Sequence, residues 1–224
     1  LWIMPSVNLE DGDMKTTIIT IGNGGYNIAA DCIESGIFRD YKLIVCDSDA
    51  DDLKRNSGSA DCSFLLNGSV DKFSLKDNSL IKPIVNEVTD GIFIFAALGG
   101  WVTRINILPL VMALNVPRKF IWSIFSMPSD YEGKEVHKRA SVTRQLLWAC
   151  TDMFLVQYNN RLSSIPGLTI GEMNEPIVNT LAMASLFDIQ KSIRFTKSYT
   201  EYIPEMYREA MSMYRNVFRY PTID

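Results

Sequence analysis

The chain has 224 residues, 47% hydrophobic and 21% charged, with a formal net charge of -4. That length and apolar content suit one folded unit of ordinary size and exclude a disordered chain, while the acidic balance argues against a nucleic-acid-binding domain with its basic stripe. Cys32, Cys46, Cys62 and Cys150 lack CxxC spacing and His137 is the sole histidine, so no metal site is expected and the thiols read as reduced and buried in a cytoplasmic protein.

Leu1 to Asp13 lacks the basic flank and cleavage pattern of a signal peptide, and residues 1–14 read as an N-terminal extension with Met14 a candidate start. Lys15 to Ile21 is a β-branched run fit for a buried strand. Gly22 to Gly25 breaks it, and a helix follows from Tyr26 to Ser35, closed by Gly36. Lys42 to Cys46 is a second strand, ending in Asp47, Ser48 and Asp49, and Ser63 to Leu66 is a weak third. Ser79 to Val88 reads as helical.

Gly91 to Ala97 is a fully apolar strand stopped by Gly99 and Gly100. A helix is expected over Leu108 to Leu114, a strand over Lys119 to Phe125 and a helix over Glu132 to Ala149. Met153 to Tyr158 is another strand, Gly171 to Ser192 a long helix and Tyr202 to Phe218 a last amphipathic one. The most apolar stretch, Gly91 to Val116, is interrupted by Arg104, Asn106 and Pro109, so it is no membrane span, which needs about 20 mostly apolar residues.

The recurring order of strand and helix predicts an α/β fold, doubly wound, with a mostly parallel sheet and helices on both faces, followed by C-terminal helices. Strands apolar throughout fit burial on both faces. Ligands in such sheets bind beyond the carboxyl ends of the strands, which directs attention to the turns after Ile21, Cys46, Ala97, Phe125 and Tyr158.

Gly22, Asn23, Gly24, Gly25, Tyr26 and Asn27 leave a strand and enter a helix. Glycine lets a phosphate approach the backbone, and a helix start offers free N–H groups and a positive dipole end. No Gly-Lys-Ser/Thr follows, so this is no P-loop, and Asn27 stands where a dinucleotide fingerprint wants its third glycine. Asp47, at the end of the second strand, occupies the place of a ribose-binding acid in a dinucleotide site.

Six short motifs in order resemble the FtsZ/tubulin family, over roughly Thr16 to Gln190. Ile21 to Asn27 resembles its first phosphate loop, with Asn27 similar to the asparagine at the helix start. Asp47-Ser48-Asp49-Ala50-Asp51-Asp52-Leu53 resembles the FtsZ run N-T-D-A-Q-A-L. Phe95 to Pro109 takes the place of the tubulin signature loop and the helix after it. Tyr131-Glu132-Gly133 resembles F-E-G, whose glutamate binds ribose in the family. Asn159-Asn160-Arg161-Leu162 resembles N-D-R-L, and Gly171-Glu172-Met173-Asn174 resembles the tubulin run G-D-L-N; the family's asparagines there read guanine.

The resemblance implies a nucleotide-binding domain over 15–192, a helical appendage over 193–224 and no room for the family's second domain. It assigns phosphate contacts to Gly22, Asn23, Gly24, Gly25, Asn27, Gly99, Gly100, Thr103 and Arg104. It assigns ribose to Glu132 and guanine to Asn159 and Asn174, with GTP or GDP bound and Mg2+ at the phosphates where hydrolysis occurs. An asparagine amide offers a donor and an acceptor to the guanine edge.

The departures from the family pattern are specific. Gly100-Trp101-Val102-Thr103-Arg104-Ile105-Asn106 replaces G-G-G-T-G-T/S-G, leaving only Gly100 and Thr103 as matches. Either Arg104 replaces backbone N–H groups with a charged fork to phosphate, or the phosphate pocket is partly filled. No glycine cluster lies between Gly68 and Glu87, Val136 stands at the spacing of the family arginine, and no N-x-D-x-x-D pattern follows Gln190. No catalytic residue is assignable, and any GTP hydrolysis is expected to be slow.

Three readings follow. The first is a diverged guanine-nucleotide-binding protein of FtsZ/tubulin type, self-associating or pairing with another such protein in a cell-division or cytoskeletal role. The second is a non-catalytic interaction protein on the same fold with a degenerate site. The third and least supported is a Rossmann-type NAD-binding oxidoreductase.

Overall fold

The computed structural model describes residues 16–38, 40–66, 80–115, 119–159 and 167–186. Six strands form one wholly parallel sheet: β1 (Thr16–Ile21), β2 (Tyr41–Asp47), β3 (Cys62–Leu65), β4 (Gly91–Ala97), β5 (Phe120–Met127) and β6 (Met153–Tyr158). Their order is β3-β2-β1-β4-β5-β6. The helices are α1 (Gly22–Glu34), α2 (Ala50–Asn56), α3 (Ile81–Glu87), α4 (Trp101–Leu114), α5 (Lys134–Trp148) and α6 (Ile170–Leu186).

Successive strand residues point to opposite faces, and both faces are covered. On β4, Ile92, Ile94 and Ala96 join a core with Ile84 of α3, Leu108 and Val111 of α4 and Leu147 of α5. Phe93 and Phe95 face the other way, with Ile28 and Ala29 of α1 and Ile177 and Leu181 of α6. Fully burying an aliphatic or aromatic side chain of this size stabilises by about 1.5–3 kcal/mol, so β4, buried from Gly91 to Ala96, and β5, buried throughout, contribute heavily to the stability of the sheet. This arrangement is the doubly wound α/β fold expected from the sequence. The chain reverses direction across the sheet between β1 and β4, where α1 leaves toward one face and α4 toward the other.

Two helices begin earlier than sequence periodicity suggests. Helix α1 starts at Gly22, not Tyr26, and α4 at Trp101, not Leu108. In α4 the residues from Val102 to Val111 are all buried, so the segment lacks the polar stripe by which a helix is recognised. Helix α2 was not anticipated. The Asp49 carboxylate caps it, accepting from the N–H groups of Asp51 (2.8 Å) and Asp52 (3.0 Å), and Lys54 and Arg55 sit at its negative end. The 1–14 extension, the helix expected over Tyr202 to Phe218 and the end of the one expected over Gly171 to Ser192 lie outside the described residues. No helix among the described residues is long and apolar enough to cross a membrane.

Candidate functional site

The β1–α1 junction is built from close contacts that only glycine permits. A Cβ on Gly25 would overlap the carbonyl oxygen of Phe95 and come within 2.9 Å of its carbonyl carbon. A Cβ on Gly24 would meet that of Ala97 at 2.6 Å. These two glycines let α1 lie directly on the end of β4. Gly22 has φ +71, and a Cβ there would come within 2.7 Å of Val102 Cγ1. Ile21 is the N-cap in extended conformation, with no side-chain cap and no acidic residue in the first turn. The positive end of α1 is therefore not neutralised by the chain's own first-turn side chains. Exposed Asn23 accepts from Asn56 Nδ2 (3.1 Å), tying α1 to α2, and Asn27 is half-buried one turn into the helix.

The second glycine turn lies alongside. Gly100 is the N-cap of α4, which likewise lacks a side-chain cap and an acid in its first turn. Buried Thr103 donates its hydroxyl to the Ile21 carbonyl (3.4 Å), joining the start of α4 to the end of β1. Buried Arg104 stacks on the Trp101 ring, its Cζ 4.0 Å from the centroid, and faces a cavity toward α5. In this turn Val102, with Thr103 Oγ1 at 3.9 Å, is what a Cβ on Gly22 would meet.

After β5, residues Asp130–Glu132 form a 3-10 turn closed by a capping box in which Glu132 Oε1 accepts from Ser129 N–H (2.9 Å). The other carboxylate oxygen of Glu132 sits where a Cβ on Gly99 would meet it at 2.5 Å, so the third of these turns touches the second. His137 of α5 holds the turn in place: its Nε2 is 2.7 Å from the Ser129 carbonyl oxygen and 3.7 Å from Asp130 Oδ1. The half-buried histidine thus braces the Glu132 turn, a role its charged sequence surroundings concealed.

Asn159 follows β6, its Oδ1 accepting from Gln157 Nε2 (3.1 Å). Asn160, Arg161 and Leu162 lie outside the described residues. Asn174 is buried on α6, and its Nδ2 donates to the Asp31 carboxylate of α1 (2.6 Å). Gly22 to Gly25, Gly99 to Thr103 and Glu132 are therefore gathered at one edge of the sheet, while Asn174 sits in the α1–α6 interface. Asp31 was not singled out in the sequence, because its partner is 143 positions away and nothing local marks it.

The acid at the end of β2 is already engaged. Asp47 Oδ1 accepts from the N–H groups of Ser48 (2.7 Å) and Asp49 (3.1 Å). Burial pushes the Asp47 carboxyl above its ordinary 3.8, against the pull of those two donors. A carboxyl whose folded pKa is raised holds its proton more tightly in the native state, so its contribution to stability falls as pH rises from the unfolded value through the folded one, then stays level. Asparagine keeps the accepting oxygen without the charge. Asp47→Asn is expected to be at least as stable as the wild type at pH 7, with a larger relative gain at pH 7 than at pH 3.5, read from urea midpoints at the two pH values.

Among the described residues, no group of three or more His, Cys, Asp or Glu is placed to hold a metal ion. Burial pushes the thiols of Cys32 and Cys150 up to about 12 and about 11, and raises Cys46 further, which leaves these three free thiols unreactive near neutral pH.

No protein-family model and no curated protein matches the sequence. Solved structures do. The chain aligns with a W319Y mutant of FtsZ from M. jannaschii at a TM-score of 0.61 and 20% identity, over 77% of this chain and 56% of that one. It aligns with CetZ2 from Haloferax volcanii, in a GTPγS-bound protofilament, at 0.60 and 18%, over 77% and 59%. It aligns with TubZ of the Clostridium botulinum phage c-st at 0.59 and 16%, over 73% and 58%. The chain has a diverged FtsZ/tubulin-like fold, and it spans less than three-fifths of the length of each of these proteins.

Proposed function

We propose that this chain is a diverged FtsZ/tubulin-like protein that binds a guanine nucleotide and hydrolyses GTP slowly or not at all. The observation that carries the reading is the meeting of two helix starts, α1 and α4, at the sheet reversal, neither capped by a side chain nor carrying a first-turn acid. In this reading the unit 15–192 holds phosphates with Gly22, Asn23, Gly24, Gly25, Asn27, Gly99, Gly100, Thr103 and Arg104. Glu132 accepts from the ribose hydroxyls. Asn159 and Asn174 meet the guanine edge, Asn174 with its carbonyl oxygen and its second amide N–H, since one N–H is donated to Asp31. Magnesium would accompany the phosphates, whose own oxygens supply much of its coordination. Slow turnover follows from the lack of an acidic pattern after Gln190. A cytoplasmic role in self-assembly, cell division or the cytoskeleton enters by analogy of fold.

A second reading, an interaction protein with a degenerate site, is favoured by one observation: Val102 packs on Gly22, between the two helix starts. Calorimetry with GDP, GTP and NAD discriminates. Heat with GDP and GTP but not NAD supports guanine-nucleotide binding. Silence with both guanine nucleotides removes it in favour of the second reading, and heat with NAD alone revives the oxidoreductase.

A further inference from the structure

The face of β5 and β6 that carries α1 and α6 changes character along the strands. Trp122 and Ile124 of β5 and Leu155 of β6 pack into its apolar core. One step further on, the register pairs Ser126 with Gln157, and by alternation both lie on that same face. Tyr158 turns the opposite way, its hydroxyl accepting from Arg144 of α5 (2.9 Å). Gln157 is 7% exposed. Its Nε2 donates to Asn159 Oδ1 (3.1 Å), while its Oε1 is buried with no hydrogen-bond partner among the described residues. A buried carbonyl without a donor is unfavourable, and a leucine beside Leu155 and Ile124 would avoid that cost. Packing therefore does not account for a glutamine at this position. Its one described bond, to Asn159, does.

That bond decides which end of the Asn159 amide is on offer. An asparagine amide carries an acceptor and a donor of nearly the same shape, and turning it over exchanges them. With Oδ1 occupied by Gln157, half-buried Asn159 presents its Nδ2 hydrogens at the carboxyl edge of the sheet, where ligands of such folds bind. A donor there suits the O6 acceptor of guanine and opposes the 6-amino group of adenine, which is itself a donor. We propose that Gln157 is a positioning residue for base recognition, holding Asn159 as a donor and so favouring guanine over adenine. The inference rests on the guanine-nucleotide reading and adds to it the source of the base preference.

Gln157→Glu tests it with almost no change of shape. A carboxylate only accepts, so it draws the Asn159 N–H groups to itself and turns the Asn159 oxygen outward. Calorimetric titrations with GDP and with ADP are expected to show the wild type preferring GDP. In Gln157→Glu the ratio of GDP to ADP affinity should fall at least tenfold. Gln157→Leu, which suits the apolar surroundings, keeps the test open if the buried carboxylate prevents folding. There Asn159 is released and not reversed, so the ratio should fall by a smaller factor, about threefold or more. General damage to the site would weaken both nucleotides alike and leave the ratio unchanged. An unchanged ratio in the folded variants, or a wild type that binds ADP as well as GDP, overturns the proposal while leaving nucleotide binding intact. Silence of the wild type toward both nucleotides removes the guanine-nucleotide reading itself, and this inference with it.

Discussion

Gly25→Ala is expected to lower the free energy of unfolding by about 2–3 kcal/mol, one of the largest losses available from adding a single methyl group to this chain. The added carbon would overlap the Phe95 carbonyl and stand 3.0 Å from Ala96 Cα. Both obstacles are backbone of β4, hydrogen-bonded to β1 on one side and β5 on the other, so neither yields as a side chain would. Alanine's better helix propensity returns about 1 kcal/mol at most, and the steric term exceeds it. Gly58→Ala is the control, since a Cβ there meets nothing within 4 Å and φ is not positive. Its effect should stay within about 0.5 kcal/mol. Urea unfolding of the two variants checks the pair. Equal midpoints for Gly25→Ala and wild type would mean that α1 does not rest on β4.

Val102→Ala is expected to act in two directions. Removing two buried methyl groups costs about 1.5 kcal/mol of stability at roughly 0.8 kcal/mol each. It also clears the carbon packed on Gly22, where the starts of α1 and α4 meet. If that carbon limits access to the helix starts, GDP affinity rises by about tenfold, equivalent to 1.4 kcal/mol. Calorimetry of the variant beside the wild type measures it. A variant that is less stable and binds no better would show that Val102 is only a packing residue, and would place the limit on nucleotide binding elsewhere in the turn.

The strands were largely legible in the sequence, as were the starts of α3, α5 and α6, while the starts of α1 and α4 were not. β4 has the limits expected from its apolar run, because a strand buried on both faces reads as an unbroken run bounded by breakers, and β6, a half-buried edge strand, also has the limits expected. The same logic misplaced α1. Glycine is a poor helix former, so Gly22 to Gly25 read as a turn, whereas their want of side chains is what lets the first turn of the helix lie on β4. The signals for α2 were present, an Asp cap followed by two acids and a Lys-Arg end, but seven residues make too short a period to stand out. In the site, the glycine turns and Glu132 could be found from local motifs. The Asp31–Asn174 bond and the His137 brace could not, because each joins residues whose pairing is made by the fold alone.

The central place of β1 also bears on how the chain folds. Its neighbour β2 follows within a short helical crossover, but its other neighbour, β4, pairs Thr16 with Gly91, about 75 residues later. At a synthesis rate of roughly 5–20 residues per second, β4 trails β1 off the ribosome by about 4–15 seconds. Through that interval one edge of a strand whose last five residues are buried in the finished sheet has no partner. Long-range parallel pairing is also intrinsically slow to form. The nascent β1–α1–β2 unit is thus the stretch where chaperone capture or intermolecular strand pairing would compete with folding.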